Sequence, residues 1–295
     1  MAALEALLAL RHLARERVSV ELVAPEPDFA YRPLSVAEPF GLAEPRRLGL
    51  AEIARGHGAA YRRDSIAGVN PGRSLIVTEA GERLPYGALV LAVGARRSPA
   101  LPGALTFRGV EDVEAFRGLL TALERGEAHR VVFAVPPRAQ WPLPLYELAL
   151  LAAAHLASRG VDGAELEVIT HERRPLGLFG RRASDRVSAL LDEAGVRVSV
   201  ATAPERVQEG SLITEHGRAI RANRVVALPR LDVPDIPGVP QGRRGFILTD
   251  SESRVEGLDR VFAAGRCHLV SDQAGGPRRP AGRRRCGSDR ELGGR

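Results

Sequence analysis

Leucine and alanine recur at helical spacing from the start of the chain, which predicts a helix over Ala2–Ala14. Arg11 and Arg15 stand near its end, where cations suit the helix dipole. The apolar run Val18, Val20, Leu22 and Val23 predicts a strand. Ala24-Pro25 closes it, since proline cannot continue a central strand. Residues 26–45, rich in proline and aromatics, read as a loop, and residues 50–56 as a short helix. Strands are expected at 74–78 and near Leu84, around a turn at 79–81. A fully apolar strand at 89–93 follows, ended by Gly94. This order of helix, strand, hairpin and strand belongs to an α/β sheet.

After a loop at 99–109 the pattern alternates between its two periods. Helices are expected at 111–124, 143–158 and 183–194, the last stopped by Gly195, with strands at 131–135, 165–170 and 196–200. That alternation predicts a second parallel, doubly wound unit. A hairpin at 212–222 leads to a strand at 224–228. Beyond a proline-rich crossover at 233–240, strands at 246–249 and 260–263 return to the first unit. The expected fold is therefore α/β, with two doubly wound, Rossmann-like dinucleotide-binding-type domains. The first takes residues 1–109 and 236–265, and the second residues 110–235.

Composition narrows the chemistry. With 295 residues and 44% of them apolar, the chain can bury a proper core, and it holds no apolar run of membrane-spanning length. The first segment lacks a basic leader and a small-residue cleavage site, so it reads as a helix of the fold and not as a signal peptide. The net charge of +6 is concentrated at residues 266–295, where eight arginines face only Asp272, Asp289 and Glu291. That stretch has no aromatic residue to stack a base, which argues against nucleic acid as the main partner. The two cysteines, Cys267 and Cys286, lie in the same stretch and have no metal or redox spacing. Seven scattered histidines form no metal-binding pair, and no serine elbow is present, so no metal site is expected. The chemistry must come from a bound cofactor.

Three segments point to which one. LPYGALVLAVGARRSPALPGA (84–104), VAPEPDFAYRPLSVAEPFG (23–41) and GLDRVFAAG (257–265) occur in the order found in the FAD-dependent pyridine nucleotide-disulfide oxidoreductases. The chain resembles that family, and within it the branch of sulfide:quinone oxidoreductases and type II NADH dehydrogenases. The resemblance implies an FAD-dependent oxidoreductase passing electrons to a quinone or small acceptor. It implies a cytoplasmic protein, with peripheral contact on the inner face of the cell membrane open, and leaves the oligomeric state unassigned. Ala92, Val93 and Gly94 fall in the family's flavin-contacting turn, where a glycine lets backbone approach the nucleotide. Gly265 stands in the second FAD motif, followed by Arg266 where the family has aspartate.

Against the family pattern, the FAD half looks truncated at both ends. The family opens with a strand and G-x-G-x-x-G/A; here Ala3 falls where the third small residue would sit, which suggests a gene start further upstream. From Arg266 on, the codons shifted by one base can spell the family's ending, so a frameshifted, disordered tail over 266–295 is expected. A native arginine-rich tail is the alternative.

The resemblance also proposes roles. Glu26, just past the end of the first strand, is the candidate for the adenosine ribose, or else a solvated loop carboxylate. Arg32 and Pro33 are candidates for the flavin pyrophosphate or ring, or else surface loop. Glu147 matches a glutamate of the family that handles protons or fixes loops near the flavin; an early-helix glutamate complementing the dipole is the competing reading. Trp141 and Tyr146 line the pocket or pack the core. The turn VPPRAQWPLPLYELALL (135–151) has no glycine, and its prolines remove N–H donors for pyrophosphate, which disfavours NAD(P)H. With no cysteine before Cys267, a cysteine relay for sulfide and disulfide reduction are both disfavoured. The runner-up reading is a flavin-free remnant acting as a binding or interaction module.

Overall fold

The computed structural model describes residues 1–270 except 45, 138 and 140, with Arg32 as backbone alone. The expectation for residues 271–295, Cys286 included, lies outside the described residues. Helix α1 (Ala2–Ala14) buries Leu4 and Leu7 and leads to β1 (Glu21–Val23). The segment read as loop holds an antiparallel pair, β2 (Asp28–Ala30) and β3 (Arg47–Gly49), before α2 (Leu50–Gly56). Strand β4 (Ala60–Arg62) then pairs parallel with β1. With only three residues to match, it limits β1 to half of the apolar run from Val18.

An antiparallel meander of β5 (Ile66–Asn70), β6 (Leu75–Thr78) and β7 (Arg83–Pro85) precedes β8 (Leu89–Leu91). Strands β9 (Arg96–Ser98) and β10 (Leu105–Thr106) follow. The alternation then forms as expected: α3 (Val113–Glu124), β11 (Arg130–Val135), α4 (Leu143–Ser158), β12 (Glu165–Thr170), α5 (Arg181–Glu193) and β13 (Arg197–Ser199). The hairpin is a three-stranded meander of β14 (Pro204–Gln208), β15 (Ser211–Thr214) and β16 (Ala219–Arg221), followed by β17 (Arg224–Ala227).

Strands β10, β17, β11, β12 and β13 lie side by side in that order, all parallel. Residues Val131 to Val135 of central β11 have no exposed surface, because helices α3, α4 and α5 pack on one face of the sheet and the meander β14–β16, with Leu212 and Ile220, packs on the other. Phe107, Phe116, Phe133, Leu145, Leu148 and Leu191 pack the largest core cluster.

The remaining strands tie the chain back on itself. β18 (Arg230–Asp232) pairs antiparallel with β9. β19 (Ile247–Thr249) precedes β20 (Val261–Ala263), which pairs parallel with β8. Residues 266–270, read from composition as the start of a tail, instead form a turn and the strand β21 (His268–Val270), parallel to β19. The physical reason is burial: Cys267 is fully enclosed under Leu91 and Ala264, and anchors the turn.

Candidate functional site

The carboxyl ends of β8 and β20 point the same way, because their ladder is parallel from Val261↔Leu89 to Ala263↔Leu91. The turn Ala92–Gly94 and the residue Gly265 therefore emerge side by side. Both glycines are left-handed, at φ +70 and +81. At Gly94 nothing stands within 4 Å of where a Cβ would be, so its backbone is open to approach. A Cβ at Gly265 would lie 2.8 Å from Ala2 Cβ, so only glycine lets the first turn of α1 pack there. The free N–H groups of that turn are a ready partner for anionic groups.

These elements border one cleft of about 2690 Å³. Ordinary small-molecule pockets hold roughly 300–1,000 Å³, so the cleft suits a long, extended ligand. Ala3, Glu26, Pro33, Ala92, Val93, Gly94, Glu147 and Gly265 all line it. Glu26 is exposed, and its carbonyl accepts the Tyr61 hydroxyl at 2.7 Å. Pro33 opens a short 3-10 turn, Arg32–Val36, at the rim. The Arg32 side chain lies outside what is described.

Across the cleft, Glu147 sits in the second turn of α4, and its carboxyl has no hydrogen-bond or ion-pair partner among the described residues. Burial pushes this carboxyl above the usual carboxylate range. Burial likewise raises the Cys267 thiol, which keeps it protonated and a packing group.

The loop from β11 to α4 carries Pro136, Pro137 and Pro142, and Pro144 stands in the first turn of the helix. Helix α4 starts with Pro142 as its cap, and the Leu145 N–H is spent on the Pro142 carbonyl at 3.0 Å. Among the described residues of this turn, the prolines have no N–H to offer a pyrophosphate, and the Ala139 N–H is spent on the Pro136 carbonyl at 3.1 Å. Glu172, two residues past β12, stands where a Rossmann unit places its ribose-binding acid. Its Oε2 instead accepts the Tyr146 hydroxyl at 2.7 Å and the Thr170 hydroxyl at 3.0 Å. Tyr146 is thus a core residue whose phenol is raised by burial. The sequence reading missed this lock, although an acid just beyond the second strand of the alternating unit was the signal for it. Trp141 lines the cleft at its mouth and packs edge-on against Phe179. No periodicity could have paired those two rings.

Comparisons with known proteins bear on the fold that carries this cleft. Residues 147–282 match the family described as pyridine nucleotide-disulphide oxidoreductase. The sulfide:quinone oxidoreductase of Aquifex aeolicus superposes with a TM-score of 0.80 at 18% identity, over 90% of this chain and 66% of that one. The chain has their Rossmann-like fold.

A ferredoxin reductase from Rhodopseudomonas palustris gives a TM-score of 0.67 at 18% identity, over 91% of this chain and 66% of its own. NDH2 from Plasmodium falciparum gives 0.69 at 15% identity, over 86% and 60%. No curated protein sequence matches the chain. The resemblance drawn from the sequence, to the branch containing sulfide:quinone oxidoreductases and NADH dehydrogenases, is borne out by the family match and these neighbours. The chain spans about two thirds of their length.

Proposed function

We propose that this chain carries the greater part of an FAD-dependent oxidoreductase that passes electrons to a quinone or another small acceptor. One observation carries the reading: a single long cleft gathers the first turn of α1, the open turn Ala92–Gly94 and Gly265. The residues fit FAD. Ala3 and its neighbours would meet the pyrophosphate with backbone N–H groups, Gly94 would admit the nucleotide to the backbone, and Glu26 would reach the ribose. Pro33 lines the same cleft, and Arg32 beside it in the chain would meet the flavin pyrophosphate or ring. When bound, FAD supplies the two-electron carrier that no side chain here provides.

Glu147 is the residue for proton traffic. Its carboxyl is unpaired, faces the cleft and is raised by burial, so it can hold a proton at its Oε atoms and give it to a neighbouring acceptor oxygen. The proline-lined β11–α4 turn and the locked Glu172 speak against NAD(P)H as donor at the second unit. No helix among the described residues is long and apolar enough to cross a membrane; the reading calls for a protein of the cytoplasm that touches the inner membrane face peripherally.

Titration of the purified chain with FAD, followed by flavin fluorescence and by absorbance after gel filtration, tests the proposal. Retained flavin that Glu147→Gln binds normally but turns over slowly supports it. A chain that folds and takes no flavin leaves the alternative standing, a binding module built on the five-stranded sheet and its own core.

A further inference from the structure

The cleft opens at the carboxyl end of the five-stranded sheet, where Pro136 and Leu228 line it. The amino end of the same sheet carries a second hollow. Strands β11, β12 and β17 run parallel, so Arg130, Glu165 and Arg224 start them at one end. The meander turns at that end too, since Ser211 of β15 pairs with Arg221 of β16. His129, Arg130, Glu165, Arg221 and Asn223 line a cavity of about 270 Å³ there. Gly210 and Ala222 complete the lining and bring almost no side-chain bulk to it.

The polar groups around this cavity are mainly donors, and several are unspent. Asn223 is oriented by the backbone beside it: its Oδ1 accepts the N–H groups of His129 at 2.9 Å and Arg130 at 2.8 Å. Its Nδ2 is thereby turned the other way, with two N–H donors that have no partner among the described residues. Arg130 donates from Nη2 to Glu167 at 3.0 Å. Its Nη1 stays 3.5 Å from Glu165, too long for a good hydrogen bond, and its Nε is buried without a partner. Arg221 and His129 are exposed, and neither side chain has an ion-pair or hydrogen-bond partner among the described residues. Arg224 adds a further guanidinium beside them, donating to the Asn223 carbonyl at 2.9 Å.

A cation is poorly served by this set. Glu165, the one carboxylate of the lining, already meets Arg197 at 2.6 Å, and that hydrogen bond holds its carboxyl below the usual carboxylate range. Glu167 behind it is taken by Arg130 and by the Ser199 hydroxyl at 2.8 Å. Anions are the complement. Native chains leave few polar groups unmet, and guanidinium forks beside an amide match the oxygens of a phosphate. Sites for drug-sized molecules hold roughly 300–1,000 Å³. This one is smaller, with room for a phosphate group and a few further atoms but not for a dinucleotide.

We propose that the amino end of the sheet is an oxyanion site for inorganic phosphate or a small phosphomonoester, with Arg130, Arg221 and the Asn223 amide as its main donors and His129 as a fourth. The occupant bridges the starts of β11 and β17 and the end of β16, and so fastens the meander to the sheet.

Calorimetric titration of the full chain with potassium phosphate, and separately with glycerol phosphate, tests this at constant ionic strength in chloride. Saturable binding of one anion per chain is expected, with a dissociation constant of about a millimolar or less. At tenfold excess over that constant the melting temperature should rise by about 2–4 °C. Asn223→Asp keeps the oxygen that the His129 and Arg130 N–H groups need and exchanges the two free donors for a second oxygen. Its circular dichroism should be unchanged while affinity falls about tenfold or more. Arg221→Gln with His129→Gln should weaken binding to a similar degree, and Arg55→Gln on α2, in the first unit, should leave it unchanged. The tighter ligand of the two names the source of the phosphate group, free ion or metabolite.

No saturable binding of either ligand overturns the proposal. So does binding that survives both the Asn223 and the Arg221–His129 substitutions, or an equal loss in Arg55→Gln, which would mean attraction to net charge alone. None of these readouts needs flavin: a chain that binds phosphate and refuses FAD sinks the proposed function alone, and one that takes FAD but ignores both phosphates sinks this site alone.

Discussion

The five-stranded sheet and the strands around the cleft are built from similar residues and end up in different states. In the former, β11 has a parallel partner on each side, and Val131 to Val135 are entirely buried. In the latter, β1 pairs only with β4 and β8 only with β20 among the described residues, three residues at a time. Leu22 is buried there, but Val90 of β8 is 41% exposed. The difference lies in how many neighbours each strand has, since hydrophobicity is alike. A strand flanked on both edges and both faces satisfies its backbone internally. A strand with one partner leaves backbone groups facing the cleft, available to a ligand at a cost in local stability.

The largest expected effect tests that contrast directly. Phe116 is fully buried, with its ring 5.6 Å from Phe40, 5.8 Å from Phe107 and 6.5 Å from Phe133. Phe116→Ala should cost about 4 kcal/mol in urea unfolding, and Leu22→Ala on β1 about 2 kcal/mol. Equal losses at the two positions would break the comparison. Next comes the lock at the far end of the sheet. Tyr146→Phe removes a buried hydroxyl that donates to Glu172 and should cost about 2 kcal/mol. If it also opened a site for NAD(P)H, detectable by titration, the lock would be what excludes that ligand.

Around the cleft the effects shift from stability to binding. Gly94→Ala forces a side chain to φ +70 with no steric contact within 4 Å, so strain of about 1 kcal/mol is expected. The fall in FAD affinity should exceed that loss; an affinity that merely tracks stability would remove the turn from the site.

The smallest effect has the opposite sign. Burial raises the Glu147 carboxyl, so ionising it costs the folded chain more than the unfolded one. That penalty is absent below the unfolded carboxylate range and complete above the raised value. Glu147→Gln should therefore raise the melting temperature at neutral pH, with the gain fading as the pH falls through the carboxylate range. A constant gain at every pH would mean the carboxyl is not desolvated.

Much of the fold was legible. Helices α1, α3 and α4 and strands β11 and β12 sit within a residue or two of their expected bounds, because each is long enough for its period to repeat. The three-residue strands β2, β3, β4, β9 and β21 were not legible, since so short a segment shows no alternation. Their pairing is decided by the partner. The turn 92–94 could be read from its glycine. That Glu147 has no partner, that Glu172 is locked, and that Cys267 is packing and not chemistry could not, since each depends on neighbours distant in the chain.

What the sequence determined by itself is the alternation of strand and helix and the proline-rich second turn, both consequences of local pattern and covalent constraint. What only the tertiary structure decided is the cleft itself. It exists because β20 returns across the whole five-stranded unit to lie parallel to β8, setting Gly265 against Ala2 and opposite Glu147's helix. Side-chain periodicity records which face of an element is buried, and carries no record of which distant element will cover it.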